Sequence, residues 1–248
     1  MLQVAQTNWQ RWITYFEHNA GNLMSIDWDD PYNLTDTEIQ RVKKSIQQFQ
    51  LGESSEGNHV IAQAKRYMSS SGDQRYLPAL QLFIQEEHRH STYLARFLRT
   101  HGVSLVQKHP VDSVFRLLRH TFNLELSVMA MLTAEIIAVP YYKALHDATH
   151  SPLLRQICRQ VLRDEMQHLQ FQADSLKTIR NNQSESNNSI KHAIHRMLLI
   201  GAICIVWQQH HDVFAAASYP FAKFWRTCWL HFSRLFPKVK AQYAGVTQ

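Results

Sequence analysis

The sequence predicts an all-α fold, a four-helix bundle with an N-terminal capping segment and additional C-terminal helices. Three observations carry this reading. Only 7 Gly and 7 Pro stand among 248 residues, which disfavours disorder and turn-rich β architectures. Apolar residues recur every three to four positions over four long stretches, the period of helices with one buried face. An acid followed by Glu-x-x-His occurs twice, as Glu86-Glu87-His88-Arg89-His90 and Asp164-Glu165-Met166-Gln167-His168, each within one of those stretches.

Residues 1–34 mix aromatics with the acidic cluster Asp27-Trp28-Asp29-Asp30-Pro31 and read as a capping segment with room for one short helix. Thr35 and Glu38 stand in capping-box spacing. The stripe Val42, Ile46, Phe49, Glu53, Glu56, Val60 and Tyr67 then predicts a first helix to about residue 70. A turn at 69–73 precedes a second helix, which begins near Pro78, carries Leu80, Phe83, Glu87, His90, Leu94 and Phe97, and ends at His101-Gly102. A third is expected from an Asp112 cap through Leu117, Leu124, Val128, Leu132 and Glu135 to about His146, kinked at Pro140. Ser151-Pro152 opens the fourth, which runs through Ile157, Val161, Glu165 and His168 to about Ile179.

These four helices make a bundle over residues 35–180. A polar linker at 181–189 leads to a C-terminal extension, 190–248, with apolar helices near 190–217 and 219–236. Its Trp and Phe content suits packing on the bundle or across the interface of a homodimer.

The net charge of +6 is uneven. Residues 191–248 hold seven Lys/Arg against one acid, and the rest of the chain balances nineteen against nineteen. No dense basic run is present, which argues against nucleic-acid binding. The basic aromatic tail suits peripheral contact with a membrane surface or a partner. The apolar run 197–207 is about half of a bilayer span and is expected to be a buried helix, not a transmembrane segment. Cys158, Cys204 and Cys228 show no CxxC spacing, and with no signal-peptide pattern at the start a reducing cytoplasm is expected.

In a helix, residues three apart share a face, so Glu87 with His90, and Glu165 with His168, can each present a carboxylate and an imidazole inward. Two such pairs plus one Glu from each of the other helices make the ligand set of two-metal carboxylate bundles. Donors this rich in oxygen suit two ions of iron first and manganese second, ahead of zinc. The third helix offers Glu135, 30 residues before Glu165, with Glu125 as a rival 40 residues before it. The first offers Glu53 and Glu56, 34 and 31 residues before Glu87, and spacing does not choose between them.

A single Glu-x-x-His is usually a solvated surface pair. Two on apolar stripes would bury four carboxylates and two imidazoles, at prohibitive cost unless divalent cations neutralise them. Other residues of these types are expected to be structural: His88 and His101 on the surface, His210-His211 outside the bundle, Tyr93, Tyr141 and Tyr142 in the core, and Cys158 a small buried hydrophobe.

The segment Phe49-Gln50-Leu51-Gly52-Glu53-Ser54 resembles the Gly-Glu-containing first-helix segment of rubrerythrins and demethoxyubiquinone hydroxylases in the ferritin-like superfamily, a likeness that covers roughly residues 36–180. It implies Glu53 as the first-helix ligand, with Glu56 an alternative. It also implies that each acid preceding a motif supports the histidine of the opposite one, Asp164 with His90 and Glu86 with His168. The activity it implies is an oxidase or oxygenase using O2 on an unidentified small organic substrate. Iron oxidation and storage is the alternative, and a non-catalytic helical interaction protein the third reading.

Overall fold

The computed structural model describes residues 7–54, 57–71, 74–108, 123–181 and 188–236, and among these it is helical with no strand. Helix α1, Trp9–Gly21, is capped by Asn8, whose side chain accepts from Arg11 N, and it buries Trp9, Trp12, Phe16 and Asn19. That 3-4-3 spacing is one continuous face. Trp12 and Phe16 pack on Phe171 with ring centroids at 5.5 and 5.3 Å, and Trp12 Nε1 donates to Asp174 at 3.2 Å. The N-terminal segment therefore contributes a full core helix, more than the expected cap. Truncating one such buried aromatic typically costs about 3–5 kcal/mol.

Helix α2, Asp36–Glu53, begins with the expected capping box, in which Thr35 and Glu38 satisfy each other's backbone N–H groups. It stops at Glu53, and α3, Asn58–Ser71, is a separate element, so the single helix expected to residue 70 is corrected to two. The break has a local cause. Gly57 sits at φ +65°, and a Cβ there would lie 2.5 Å from Ile84 Cδ1, so backbone meets side chain where only glycine fits. Glu56, the alternative ligand, lies outside the described residues, as do Asp112, Leu117 and linker residues 182–187.

Helix α4 spans Tyr76–Thr100. Helix α5, Leu124–Ala148, is capped by Asn123 and continues through Pro140. Helix α6, Pro152–Asn181, starts where Ser151 Oγ accepts from Leu154 N at 3.2 Å. Helices α2, α4, α5 and α6 form the bundle, with α1 laid on α4. The segment after α1 is tied to α6 by side-chain amides, Gln160 accepting from Met24 N and Gln156 from Asp27 N, both at 2.7 Å.

Beyond the bundle come α7, Asn188–Gln209, α8, His211–Ala216, and α9, Phe221–Leu235. Helix α7 presses Leu199, Ala202, Ile203 and Val206 inward but leaves Ile194, Met197 and Ile200 exposed. The expectation of a buried helix at 197–207 is thus corrected to a half-buried one. Among the described residues, two helices are long and apolar enough to cross a membrane: α5, with 83% of its apolar window buried, and α7, with 28%. The first is simply the bundle core. Helix α9 runs antiparallel to α7, since Trp207 packs on Phe221 at 5.3 Å while His195 packs on Phe232 at 5.0 Å.

Candidate metal centre

The helix period places Glu87 and His90 on one inward face of α4, and Glu165 and His168 on the facing side of α6. One ligating atom from each of the four lies within 4.8 Å of all the others. His168 Nδ1 is 2.8 Å from Glu87 Oε1 and 3.7 Å from Glu165 Oε2. His90 Nδ1 is 3.5 Å from Glu165 Oε1 and 4.0 Å from Glu87 Oε1. Each of these carboxylates thus reaches both imidazoles. Glu135 of α5 joins them, its Oε2 3.9 Å from His168 Nδ1.

Glu53 arrives at the C-terminal end of α2, where Tyr142 OH donates to its Oε1 at 2.7 Å. Tyr142 thus lies beside the cluster instead of being core filler alone. Glu125 is elsewhere: it is ion-paired to Arg180 Nε at 2.8 Å and Lys191 Nζ at 2.9 Å, near the start of α5. His88 is exposed, His101 is half-buried, and His210 is buried with its Nδ1 2.7 Å from Ser45 Oγ. Tyr141 bonds the same serine at 2.8 Å.

Behind the cluster the acids cross over as expected. His90 Nε2 donates to Asp164 Oδ2 at 3.0 Å, and His168 Nε2 donates to Glu86 Oε2 at 2.9 Å. Both rings therefore turn Nδ1 toward the cluster, the atom that would offer its lone pair to a metal once the ring is neutral. Asn19 of α1, which sequence reasoning did not single out, donates to Glu86 and, at 2.9 Å, to Asp164 Oδ1. Its own Oδ1 accepts from Arg163 at 2.7 Å. Arg89 reaches Glu86 at 2.7 Å, and Gln160 donates to both oxygens of Asp164. The one available signal for Asn19 was a polar residue in the last slot of the Trp9, Trp12, Phe16 stripe.

Electrostatics match this crowding. Burial first, then the charges of Glu87 and Glu165, push Glu53 well above the usual carboxylate range. Burial, Glu165 and Glu87 do the same to Glu135. Burial would also raise Glu165, but its contacts with Glu135, His168 and His90 hold it well below normal. For His90, burial is outweighed by Asp164 and then Glu165, which raise it to about 10. Such opposed shifts mark a cluster of acids and imidazoles sharing too few positive charges.

The donor set fits a metal. Glu87 Oε1, both oxygens of Glu165, His90 Nδ1 and His168 Nδ1 are buried without a hydrogen-bond partner. Even the 2.8 Å approach of His168 to Glu87 misses hydrogen-bond geometry. Orphaned polar atoms cost about 1–3 kcal/mol each. Five of them aimed at one point would be compensated by cations that take oxygen and imidazole donors.

No family model and no curated protein matches the chain. Solved structures do. Two variants of an R2-like ligand-binding oxidase with anaerobically reconstituted Mn/Fe cofactor align at 14% and 16% identity. Their TM-scores are 0.62 and 0.63, over 93% of this chain and 93% of each of theirs. An R2-like ligand-binding oxidase with an aerobically reconstituted Mn/Fe cofactor aligns at 15% identity and TM-score 0.61, over 93% of this chain and 92% of its own. Likeness at this level of identity carries the architecture, and the chain has the all-helical ferritin-like fold that its two motifs led us to expect.

Proposed function

We propose that the chain is a non-haem di-metal carboxylate oxidase. In this reading Glu53, Glu87, His90, Glu135, Glu165 and His168 hold two ions, iron or manganese or one of each, and O2 is consumed there with an organic substrate. The observation that carries it is the convergence of five unpartnered buried atoms from two helices on one point. The similar oxidase structures, whose cofactor is Mn/Fe, support the choice of metals. Two such ions, when bound, supply the electrons and open coordination positions that O2 reduction needs.

The chain's own residues supply the rest. His90 and His168 would hold the ions through Nδ1, their rings fixed by the Nε2 bonds to Asp164 and Glu86. Glu87 and Glu165, each facing both imidazoles, would hold the ions from the middle of the cluster. Glu53 and Glu135 close the two ends, and Tyr142 steadies Glu53 by donating to it. Phe83 and Phe16 lie against the His168 ring, centroids at 4.8 and 6.2 Å, and keep water from that side.

The test is anaerobic loading with Fe(II) and Mn(II), followed by metal analysis and O2 uptake with an organic reductant. About two ions per chain are expected, with most of the loading lost in Glu87→Ala and His168→Ala. Metal content unchanged by both substitutions would sink the site. Uptake of many irons per chain into a hollow assembly would assign iron storage instead.

A further inference from the structure

Helices α7 and α9 lie side by side on the outside of the bundle, and their outward faces share one composition. On α7 the exposed residues Ile194, Met197, Ile200, Cys204 and Ile205 recur at helical spacing as one stripe, with Met197 71% exposed. A Cβ at Gly201, on the same stripe, would meet nothing within 4 Å. On α9, Phe221 and Leu230 are exposed and Trp225 and Trp229 half-buried. The cations Arg196, Lys223, Arg226 and Arg234 are exposed on the same two helices. Neither helix contains an acid. From 188 to 236 the one acidic residue is Asp212, on α8.

We propose that this α7–α9 face docks on an anionic lipid bilayer. The Ile194–Met197 stripe enters the boundary between headgroups and acyl chains, the tryptophans sit at that boundary, and the arginines and lysine meet the lipid anions. Apolar area and cations with no opposing acid are the two terms that drive interfacial binding of a helix lying in the membrane plane. Amphipathic Trp rings favour the same depth. A second copy of the chain fits poorly, because self-pairing would bring two acid-free cationic faces together. Spanning the bilayer fits worse. The other side of α7 carries Leu199, Ile203 and Val206 into the bundle, and withdrawing it would strip that core. The proposal is independent of the metal centre.

Flotation of the full-length, metal-loaded protein with vesicles tests it, using phosphatidylcholine alone and phosphatidylcholine with phosphatidylglycerol. Binding is expected to the anionic vesicles and to weaken as salt rises. Ile194→Glu with Met197→Glu should lower partitioning about tenfold or more, and Lys223→Glu with Arg226→Glu should abolish the preference for anionic lipid. All four positions are exposed, so metal content and melting temperature should hold. If the first pair melts early, the second pair decides alone. Failure to float with either vesicle overturns the proposal, as does binding indifferent to lipid charge. A dimer that the Ile194→Glu, Met197→Glu variant dissociates, without vesicle binding, would assign the face to a second copy.

Discussion

The carboxamide of Asn19 donates to Oδ1 of Asp164 at 2.9 Å across 145 residues of chain, and the same nitrogen donates to Glu86. One side chain on a helix that supplies no ligand thus ties together the two acids that orient the two histidines. Asn19→Ala should remove a donor from both buried carboxylates, costing about 1–3 kcal/mol of stability and about tenfold in metal affinity. Melting curves and chelator competition measure these. Full metal affinity in a folded Asn19→Ala protein would show that α1 only covers the site.

The crossed pairing gives a second prediction. On the proposed ligand set, Asp164→Asn should loosen the ion that His90 would hold, on the other helix, and Glu86→Gln the ion that His168 would hold, each by about 10–100-fold. Double variants separate this from a general loss. Asp164→Asn added to His90→Ala should cost little more, whereas added to His168→Ala it should remove what metal remains. Equal effects in both backgrounds would mean that the acids act through the fold and not through their partner rings.

Much of this candidate site was legible because the proposed metal ligation imposes a spacing that helices display directly. Glu87 and His90 stand three residues apart on one apolar stripe, Glu165 and His168 likewise on another, and Glu135 falls on the stripe of its own helix. Glu53 rested on resemblance, since Glu56 fits the same period. Asn19 and Tyr142 act through contacts across 67 and 89 residues, and no local pattern encodes those. The split between α2 and α3 was missed for a similar reason. The stripe continues through it, and only the approach of Ile84 shows why Gly57 must bend there. The outward face of α7 was read as buried because apolarity reports what a helix can bury, not what lies against it.

That bend yields a third prediction, with an internal control. Gly57 and Gly102 both have positive φ, +65° and +68°, but only Gly57 has a neighbour where a Cβ would stand. Gly102→Ala should therefore cost about 1 kcal/mol, for the backbone alone. Gly57→Ala should cost that plus about 1–3 kcal/mol of overpacking against Ile84. Ile84→Val, which deletes the clashing Cδ1, should bring the Gly57→Ala penalty back toward the Gly102 value in denaturant titrations. Equal costs for the two glycines would show that Ile84 yields freely. Because Gly57 stands four residues after Glu53 and its Cβ would press on α4, which carries Glu87 and His90, the same variant should also bind metal more weakly, whereas Gly102→Ala should not.

His195 sets a pH dependence outside the metal centre. Its ring is fully buried beside Phe232 and Phe236, and neither nitrogen has a hydrogen-bond partner. Burial first, then the positive charges of Arg180 and His192, lower it from 6.5 to about 3. In the unfolded chain the imidazole takes up a proton as pH falls through about 6.5, while the folded protein refuses it until near 3. Over that window the unfolded state binds more protons, so stability must fall as pH falls, and this contribution is flat above the unfolded value. His195→Phe keeps the aromatic packing between α7 and α9 and removes the titration. Urea titrations of metal-loaded protein at pH 7 and pH 5 should show a larger loss for the parent than for His195→Phe, the difference isolating this residue from the carboxylates. Identical losses would mean that the ring gains a proton without leaving its site, which the surrounding phenylalanines and the nearby Arg180 argue against.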